Sequence, residues 1–165
     1  MDVSRIVGIG AGLGLVGLGY AGLAGQDNTV RDDTGAVVEG GELGALRIRV
    51  GDCILDDGED GEIEVVDAVP CAEQHRSEVF AAFVLGGGDD AEYPGDDAVF
   101  LEAADGCYLR FEEFVGHPYE SSVYNFGTIT PTEDSWDHLD DREVLCTVFR
   151  FDGSLKSGTA RGSNR

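Results

Sequence analysis

The spacing of apolar and polar residues predicts three strands in the first half of the region from residue 46 onward. Leu46 to Val50 alternates apolar and arginine side chains, as a half-buried strand does. Ile63 to Val69 is a β-branched run that predicts a second strand. Glu78 to Leu85 is a longer apolar run that predicts a third strand, buried on both faces.

The segment from Asp97 to Val115 has the period of an amphipathic helix. Asp96 or Asp97 is placed to cap its first turn, and Gly116 is placed to end it. A helix with one apolar stripe packs that stripe against a sheet, so this segment is predicted to be the main helix. The predicted stripe consists of Phe100, Ala104, Cys107, Phe111 and Phe114.

Two further strands and a short helix complete the predicted pattern. Ser122 to Thr130 and Arg142 to Phe151 predict the strands. Thr132 is placed to cap a short helix whose apolar anchor is Trp136. The order β-β-β-α-β-α-β predicts an α+β fold, with a mostly antiparallel sheet, one main packed helix and a short second helix, preceded by an N-terminal transmembrane helix.

Residues 1–24 are predicted to be that transmembrane anchor. Residues 6–24 contain no charged side chain, and their number approaches the roughly 20 needed to cross a bilayer core. A cleavable signal peptide ending in Gly22-Leu23-Ala24 is the alternative. Two GxGxxG matches also fall here, but Gly25 and the polar residues after it leave no room for the helix of a dinucleotide site.

The rest of the chain is predicted to divide into three segments. Residues 25–45 are rich in glycine and aspartate and are predicted to be a flexible acidic linker. Residues 46–155 are predicted to form one domain, and 156–165 a disordered tail. With the first 24 residues in the membrane, this domain is expected to lie outside the cytoplasm.

The chain is strongly acidic, with 33 Asp and Glu residues against 11 Lys and Arg residues and a net charge of −22. A nucleic-acid partner needs a basic face to bind its phosphates, so the charge excludes that class of partner. Solubility, or adaptation to high salt, is the simpler interpretation of acids scattered through every loop. A face that binds cations or cationic peptides is the alternative.

Four cysteines in the predicted domain form an even set, which outside the cytoplasm predicts disulfides. Cys107 lies on the helical stripe and Cys146 in the last strand, so a bridge between them would join helix to sheet. Cys53 would then pair with Cys71 across the first hairpin, although four cysteines permit three connectivities. A zinc site is the rival, because Cys71 and His75 have CxxxH spacing, but the cysteines are widely spaced and the compartment is oxidising.

Two other kinds of chemistry have weaker support. Asp56 to Asp67 aligns in part with a calcium loop, but Gly58 stands at a ligand position and the flanks predict strands, which favours an acidic hairpin turn. We predict no enzymatic activity, no cofactor and no metal, and we retain His75 and Trp136 as candidate binding residues. No local context activates the candidate bases and nucleophiles, which are His75, His117, His138, Ser77, Ser121, Ser122 and Ser135.

From Leu46 onward the chain contains a series of short phrases in a fixed order: Val50-Gly-Asp-Cys53; Val69-Pro-Cys71 with His75, Glu78 and Val79-Phe80; Tyr93-Pro-Gly95; Cys107 with Phe111 and Gly116; Pro131-Thr-Glu133 with Ser135-Trp136; Asp141-Arg142 with Val144 and Cys146; and Gly153-Ser-Leu155. In these residues the chain resembles the septum formation family, small membrane-anchored proteins known chiefly from actinobacteria. One departure is Gln74, which stands where the family typically has proline before the histidine. The resemblance implies an extracytoplasmic domain behind one membrane segment.

Together these observations predict a binding domain of the cell envelope that is held at the cell membrane by a single span and stabilised by disulfides. The family name links it to septum formation and cell division. Its expected partners are the membrane, through the N-terminal helix, and a protein of the envelope. The alternative is an envelope enzyme or a metal-dependent sensor that uses His75 and nearby carboxylates.

Overall fold

The computed structural model describes residues 25–56, 63–88 and 91–165. The predicted anchor and the GxGxxG matches lie outside the described residues. Within the described ranges, no helix is both long and apolar enough to cross a membrane. The elements are β1 (Val30–Arg31), β2 (Val37–Glu39), β3 (Gly41–Gly44), β4 (Cys53–Asp56), β5 (Val65–Val69), β6 (Ser77–Val84), α1 (Asp96–Val115), β7 (Tyr124–Ile129), α2 (Glu133–Leu139) and β8 (Glu143–Arg150), with short 3₁₀ turns at Ala45–Arg47 and Tyr119–Ser121.

Six strands form one antiparallel sheet in the order β3-β5-β4-β6-β8-β7, and β1 and β2 form a separate two-stranded ribbon. The longest ladder joins β6 to β8, from Ser77 opposite Phe149 to Val84 opposite Glu143. Strand β8 is buried along most of its length, and β6 is buried in its first half. The predicted α+β class and the antiparallel sheet are therefore confirmed.

Helix α1 covers one face of the sheet, and its buried stripe differs from the predicted one. Val99 and Ala103 are buried, whereas Phe100 and Ala104 are only half-buried. The N-terminal end of the helix is therefore rotated about its own axis by about one residue position relative to the prediction. Nearer its C-terminus the predicted stripe is confirmed by the burial of Cys107, Phe111 and Phe114. The displaced Phe100 and Ala104 face the flank of the helix, beside β7.

Two of the three predicted helix ends are confirmed. Gly116 ends α1 in the left-handed conformation, with φ of 79°, as predicted. Thr132 caps α2: its Oγ1 accepts a hydrogen bond from Ser135 N, and Ser135 Oγ accepts one from Thr132 N. The cap predicted for α1 is wrong, because Gly95 occupies the N-cap without a side-chain bond, and Asp96 and Asp97 lie in the first turn.

The segment before the predicted domain start is part of the fold. Gly41–Gly44 pairs with Val65–Val69, and Gln26 accepts a hydrogen bond from Gly44 on the other side. A side chain at Gly41 would approach Asn28 O to 2.5 Å, so glycine permits this close packing. The flexible linker predicted for 25–45 is therefore replaced by short strands.

The strand predicted from Leu46 to Val50 is wrong. A 3₁₀ turn occupies Ala45–Arg47, which spaces Ala45 and Ile48 three residues apart and buries both in the core, while Leu46 is exposed. The core on this face of the sheet is completed by the apolar residues Leu43, Ile54, Ile63, Val66, Ala68, Val79, Ile129 and Leu145.

The disordered tail predicted for 156–165 is also wrong. Lys156 and His75 exchange backbone hydrogen bonds of 2.8 and 2.9 Å. Ala160 is fully buried against the core under α1, and Asn164 N donates to Val115 O at 2.9 Å. The tail is polar in composition, but it returns along the end of α1 and closes one side of the domain.

Candidate functional site

Two disulfides hold the domain, in the predicted pairing. Cys107–Cys146 joins α1 to β8, with a sequence separation of 39, and Cys53–Cys71 joins β4 to the turn after β5, with a separation of 18. All four sulfur atoms are bonded. The thiolates that the zinc alternative requires are therefore not available in this state.

A buried ion pair lies beside the Cys53–Cys71 bridge. Glu78 and Lys156 are 3% and 7% exposed, and Lys156 Nζ lies 2.9 Å from Glu78 Oε2. The same carboxylate also accepts hydrogen bonds from Ala160 N and from the Thr159 hydroxyl, and Lys156 Nζ donates to Gly158 O. The charges are thus paired and hydrogen-bonded, as burial requires.

His75 is enclosed next to this pair and has no exposed surface. Its Nδ1 lies 2.9 Å from Glu73 O; since a carbonyl only accepts, Nδ1 carries the proton. Within the described part of the chain, Nε2 has no hydrogen-bond partner. Atoms of Cys53, His75 and Glu78 lie within 4.8 Å of one another, but the sulfur is in a disulfide and the carboxylate is held by Lys156, so this state offers no metal site.

The surroundings of His75 lower its pKa below the ordinary value of 6.5. Burial is the main cause, because it disfavours the charged imidazolium, and the positive charge of Lys156 acts in the same direction. The Glu73 carbonyl and the Glu78 carboxylate oppose the shift without reversing it. His75 is therefore neutral in the folded protein at neutral pH.

We expect His75 to make the fold sensitive to acid. In the unfolded chain the imidazole binds a proton near pH 6.5, whereas the folded pKa is lower, so the stability is fully present above 6.5 and is lost as pH falls towards the folded pKa. A single group contributes at most about 1.4 kcal/mol per pH unit. Urea unfolding of the parent and of His75→Asn, which retains a donor towards Glu73 O, measures the difference between pH 7 and pH 5.

His138→Asn is the matched control, because His138 is exposed. Between pH 7 and pH 5 the parent and His138→Asn should lose the same amount of stability, and His75→Asn should lose less. Equal losses in all three proteins would show that the imidazole of His75 does not titrate differently on unfolding.

The remaining candidate bases and nucleophiles do not converge on one site. Ser121 Oγ lies 3.0 Å from His117 Nε2 at an exposed turn, and Ser122 Oγ donates to Arg165 O. Ser135 belongs to the capping box of α2 and also donates to Asp141 Oδ2. Most of these groups serve local structure, as their sequence contexts predict.

The predicted calcium loop falls largely on residues 57–62, outside the described residues. Its two ends are adjacent in the sheet, since Asp56 pairs with Asp67 in the β4-β5 ladder. Both the acidic hairpin turn and the calcium loop stay predictions.

The family of the chain is decided by a match that includes all four bonded cysteines: the family model for septum formation covers residues 50–163. The chain belongs to the septum formation family. No curated protein and no solved structure matches the chain. The match begins after β3 and extends through the C-terminal segment that holds Lys156, so that segment is part of the septum formation domain.

Trp136 forms the wall of a cleft in this septum formation domain. Its ring is 2% exposed, Nε1 donates to Ala91 O at 2.7 Å, and the guanidinium of Arg142 lies 3.8 Å from the ring centroid. These contacts fix Trp136 in the fold, and its binding role stays a prediction. The cleft has a volume of about 530 Å³ and is lined by Ala91, Glu92, Trp136, Asp137, His138, Leu139, Asp140 and Arg142.

A second groove of about 320 Å³ lies between α1 and β7 of the septum formation domain. The sequence did not predict it, because Phe100 and Ala104 were assigned to the core. Thr128 at its base is 2% exposed, and its Oγ1 has no partner within the described ranges. Its lining consists of Phe100, Ala104, Tyr119, Asn125, Phe126, Gly127 and Thr128.

Proposed function

We propose that the chain is a membrane-anchored binding domain on the outer side of the cell membrane, that it acts in septum formation, and that it has no enzymatic activity. The observation that carries the proposal is the pair of closed disulfides in a septum formation domain. Structural disulfides persist in oxidising compartments and are rare in the cytosol.

The anchor rests on residues 6–24, which carry no charge and are long enough to cross a bilayer. Only Asp2 and Arg5 are charged before this segment. Strand β1 at Val30–Arg31 follows this segment after only a few residues, so the domain would stand close to the membrane surface.

A binding function is supported over catalysis by the placement of the polar groups. His75, the candidate base of the enzyme alternative, is fully buried. It lines neither the cleft at Trp136 nor the groove between α1 and β7. Its neighbour Glu78 is occupied by Lys156, Thr159 and Ala160. A general base must reach its substrate, whereas these groups are enclosed by the C-terminal segment.

Fractionation of cells that express the full chain with a C-terminal epitope tag tests this proposal. We expect the tag in the membrane fraction after a high-salt wash, degraded by protease added outside spheroplasts, and concentrated at division sites by immunofluorescence. Leu13→Asp/Leu15→Asp, which places two charges within the apolar run, should abolish membrane retention. Val30→Asp, at an exposed position, is the control. A soluble parent protein, or a tag protected from protease, would contradict the proposal.

A further inference from the structure

We propose that the groove between α1 and β7 binds an extended basic segment of a partner protein, and that one Lys or Arg side chain of that segment enters the groove. This partner class presupposes the binding role proposed above. Four properties of the groove favour a basic segment as the partner: the aromatic walls, the unpaired hydroxyl, the polarity of the edge strand and the surrounding charge.

The walls of the groove are aromatic. Tyr119 packs on Phe126, with ring centroids 5.0 Å apart, and Phe100 lines the opposite side from α1. Ala104, one turn after Phe100, carries only a methyl group and leaves the space between helix and strand open. Ring faces attract ammonium and guanidinium groups, most strongly where water is partly excluded.

The base of the groove contains a buried hydroxyl without a partner. Thr128 Oγ1 is enclosed and makes no hydrogen bond in the part of the chain that the structure describes. Leaving such a group unsatisfied costs about 1–3 kcal/mol. When the Thr128 side chain rotates its hydroxyl into the groove, an N–H donor of the ligand recovers this free energy, and Lys and Arg side chains are donors only.

The edge strand presents acceptors rather than donors at Tyr124 and Phe126. Strand β7 pairs only with β8 among the described strands. Tyr124 N donates to Ser122 Oγ and Phe126 N donates to Asn125 Oδ1, so these two N–H groups point away from β8 and are already bonded. In an antiparallel strand the carbonyl of a residue points the same way as its N–H. At these two residues the groups that face outward without a bond are therefore the carbonyl oxygens, which suit a donor-rich segment.

Charge around the groove favours the same partner. Asp97 is exposed three residues before Phe100 on α1, and Glu120 accepts a hydrogen bond from Tyr108, whose ring packs edge-on against Tyr119. The whole chain carries −22, so an acidic segment is repelled and a basic one is attracted at long range.

Titration of the full chain in detergent micelles tests the proposal. The probe is an acetylated, amidated octapeptide of Thr and Val with one central Arg; its controls carry Glu or the neutral isostere citrulline at that position. We expect saturable binding of the Arg peptide below about 1 mM, at least about tenfold weaker binding of the citrulline peptide, and none of the Glu peptide. Free arginine amide should bind more weakly than the octapeptide.

Two variants connect the binding to the groove. Ala104→Arg places a guanidinium of the chain itself in the groove and should weaken the affinity for the Arg peptide at least about tenfold. Ala98→Arg makes the same charge change at an exposed position and should leave this affinity within about twofold of the parent value. Thr128→Val should weaken binding about threefold or more without lowering stability, since it removes an unsatisfied hydroxyl.

Absence of binding by the Arg peptide, equal binding of the Glu peptide, or equal effects of Ala104→Arg and Ala98→Arg would each overturn the proposal. Equal affinity for free arginine amide would show a small-cation site and overturn the partner class. If the peptide fails to bind while the tagged chain still fractionates with the membrane and at division sites, only the groove is wrong. Failure of both experiments would contradict the proposal that the chain is a membrane-anchored binding domain.

Discussion

Replacing Cys107 and Cys146 together with alanine is expected to lower the free energy of unfolding by about 4 kcal/mol. The bridge joins α1 to β8 across 39 residues, and its removal lets the unfolded chain recover the entropy of that closed loop. Both cysteines are fully buried, so alanine is chosen to avoid burying an unpaired hydroxyl. Urea unfolding followed by far-UV circular dichroism measures the change.

Cys53→Ala/Cys71→Ala is the matched comparison. This bridge has a separation of 18, so the entropy model gives a smaller loss of about 3 kcal/mol. The Cys107→Ala/Cys146→Ala protein should also lose more of its near-UV signal, because α1 carries the aromatic core that includes Phe111. A smaller loss for Cys107→Ala/Cys146→Ala than for the comparison would contradict the role assigned to the α1-β8 bridge.

Lys156→Met is expected to lower the free energy of unfolding by about 3–5 kcal/mol. The substitution leaves the Glu78 carboxylate buried without its counter-charge, although Thr159 and Ala160 still donate to it. Because the ion pair of Lys156 with Glu78 also holds the C-terminal segment against β6, we expect faster tryptic cleavage after Arg161. Chemical unfolding measures the loss in free energy of unfolding. Limited trypsin digestion measures the cleavage rate, under conditions in which the parent and Lys156→Met have the same stability.

Two comparisons separate the ion pair from the loss of one long side chain. Arg161→Met removes a charge from an exposed residue of the same segment and should cost less than about 1 kcal/mol. Glu78→Gln/Lys156→Met replaces both charges and should be more stable than the sum of the single changes predicts. If Lys156→Met costs no more than Arg161→Met, the pair does not hold the segment.

Disulfide pairing was predictable because it followed from element assignment. The periodic pattern assigned Cys107 to a helix face and Cys146 to a strand, and a helix packs its apolar face on a sheet. The capping box at Thr132 and the left-handed Gly116 were predictable for a similar reason: both depend on a few adjacent residues.

The elements that escaped prediction depend on contacts between distant residues. Strand β3 contains two glycines and is fixed by pairing with β5, and the C-terminal segment is held by an ion pair that spans 78 residues. One signal was available for the second case, since Lys156 is the only lysine in a chain with a net charge of −22.

The groove between α1 and β7 was missed through a small error in helix rotation. Hydrophobic period places a stripe to within about one residue, and that uncertainty decides whether Phe100 and Ala104 enter the core or line a surface. The unpaired hydroxyl of Thr128 has no signature in sequence, because it depends on what surrounds the side chain.

The central claim is that this septum formation domain is oxidised and extracytoplasmic, and thiol counting in cells tests it most directly. Cells are quenched in acid, the full chain is alkylated under denaturing conditions with and without prior reduction, and its intact mass is measured. We expect no alkyl groups without reduction and one on each of Cys53, Cys71, Cys107 and Cys146 after it. Four alkyl groups without reduction would mean that the cysteines are thiols in the cell, and would contradict the compartment and the function built on it.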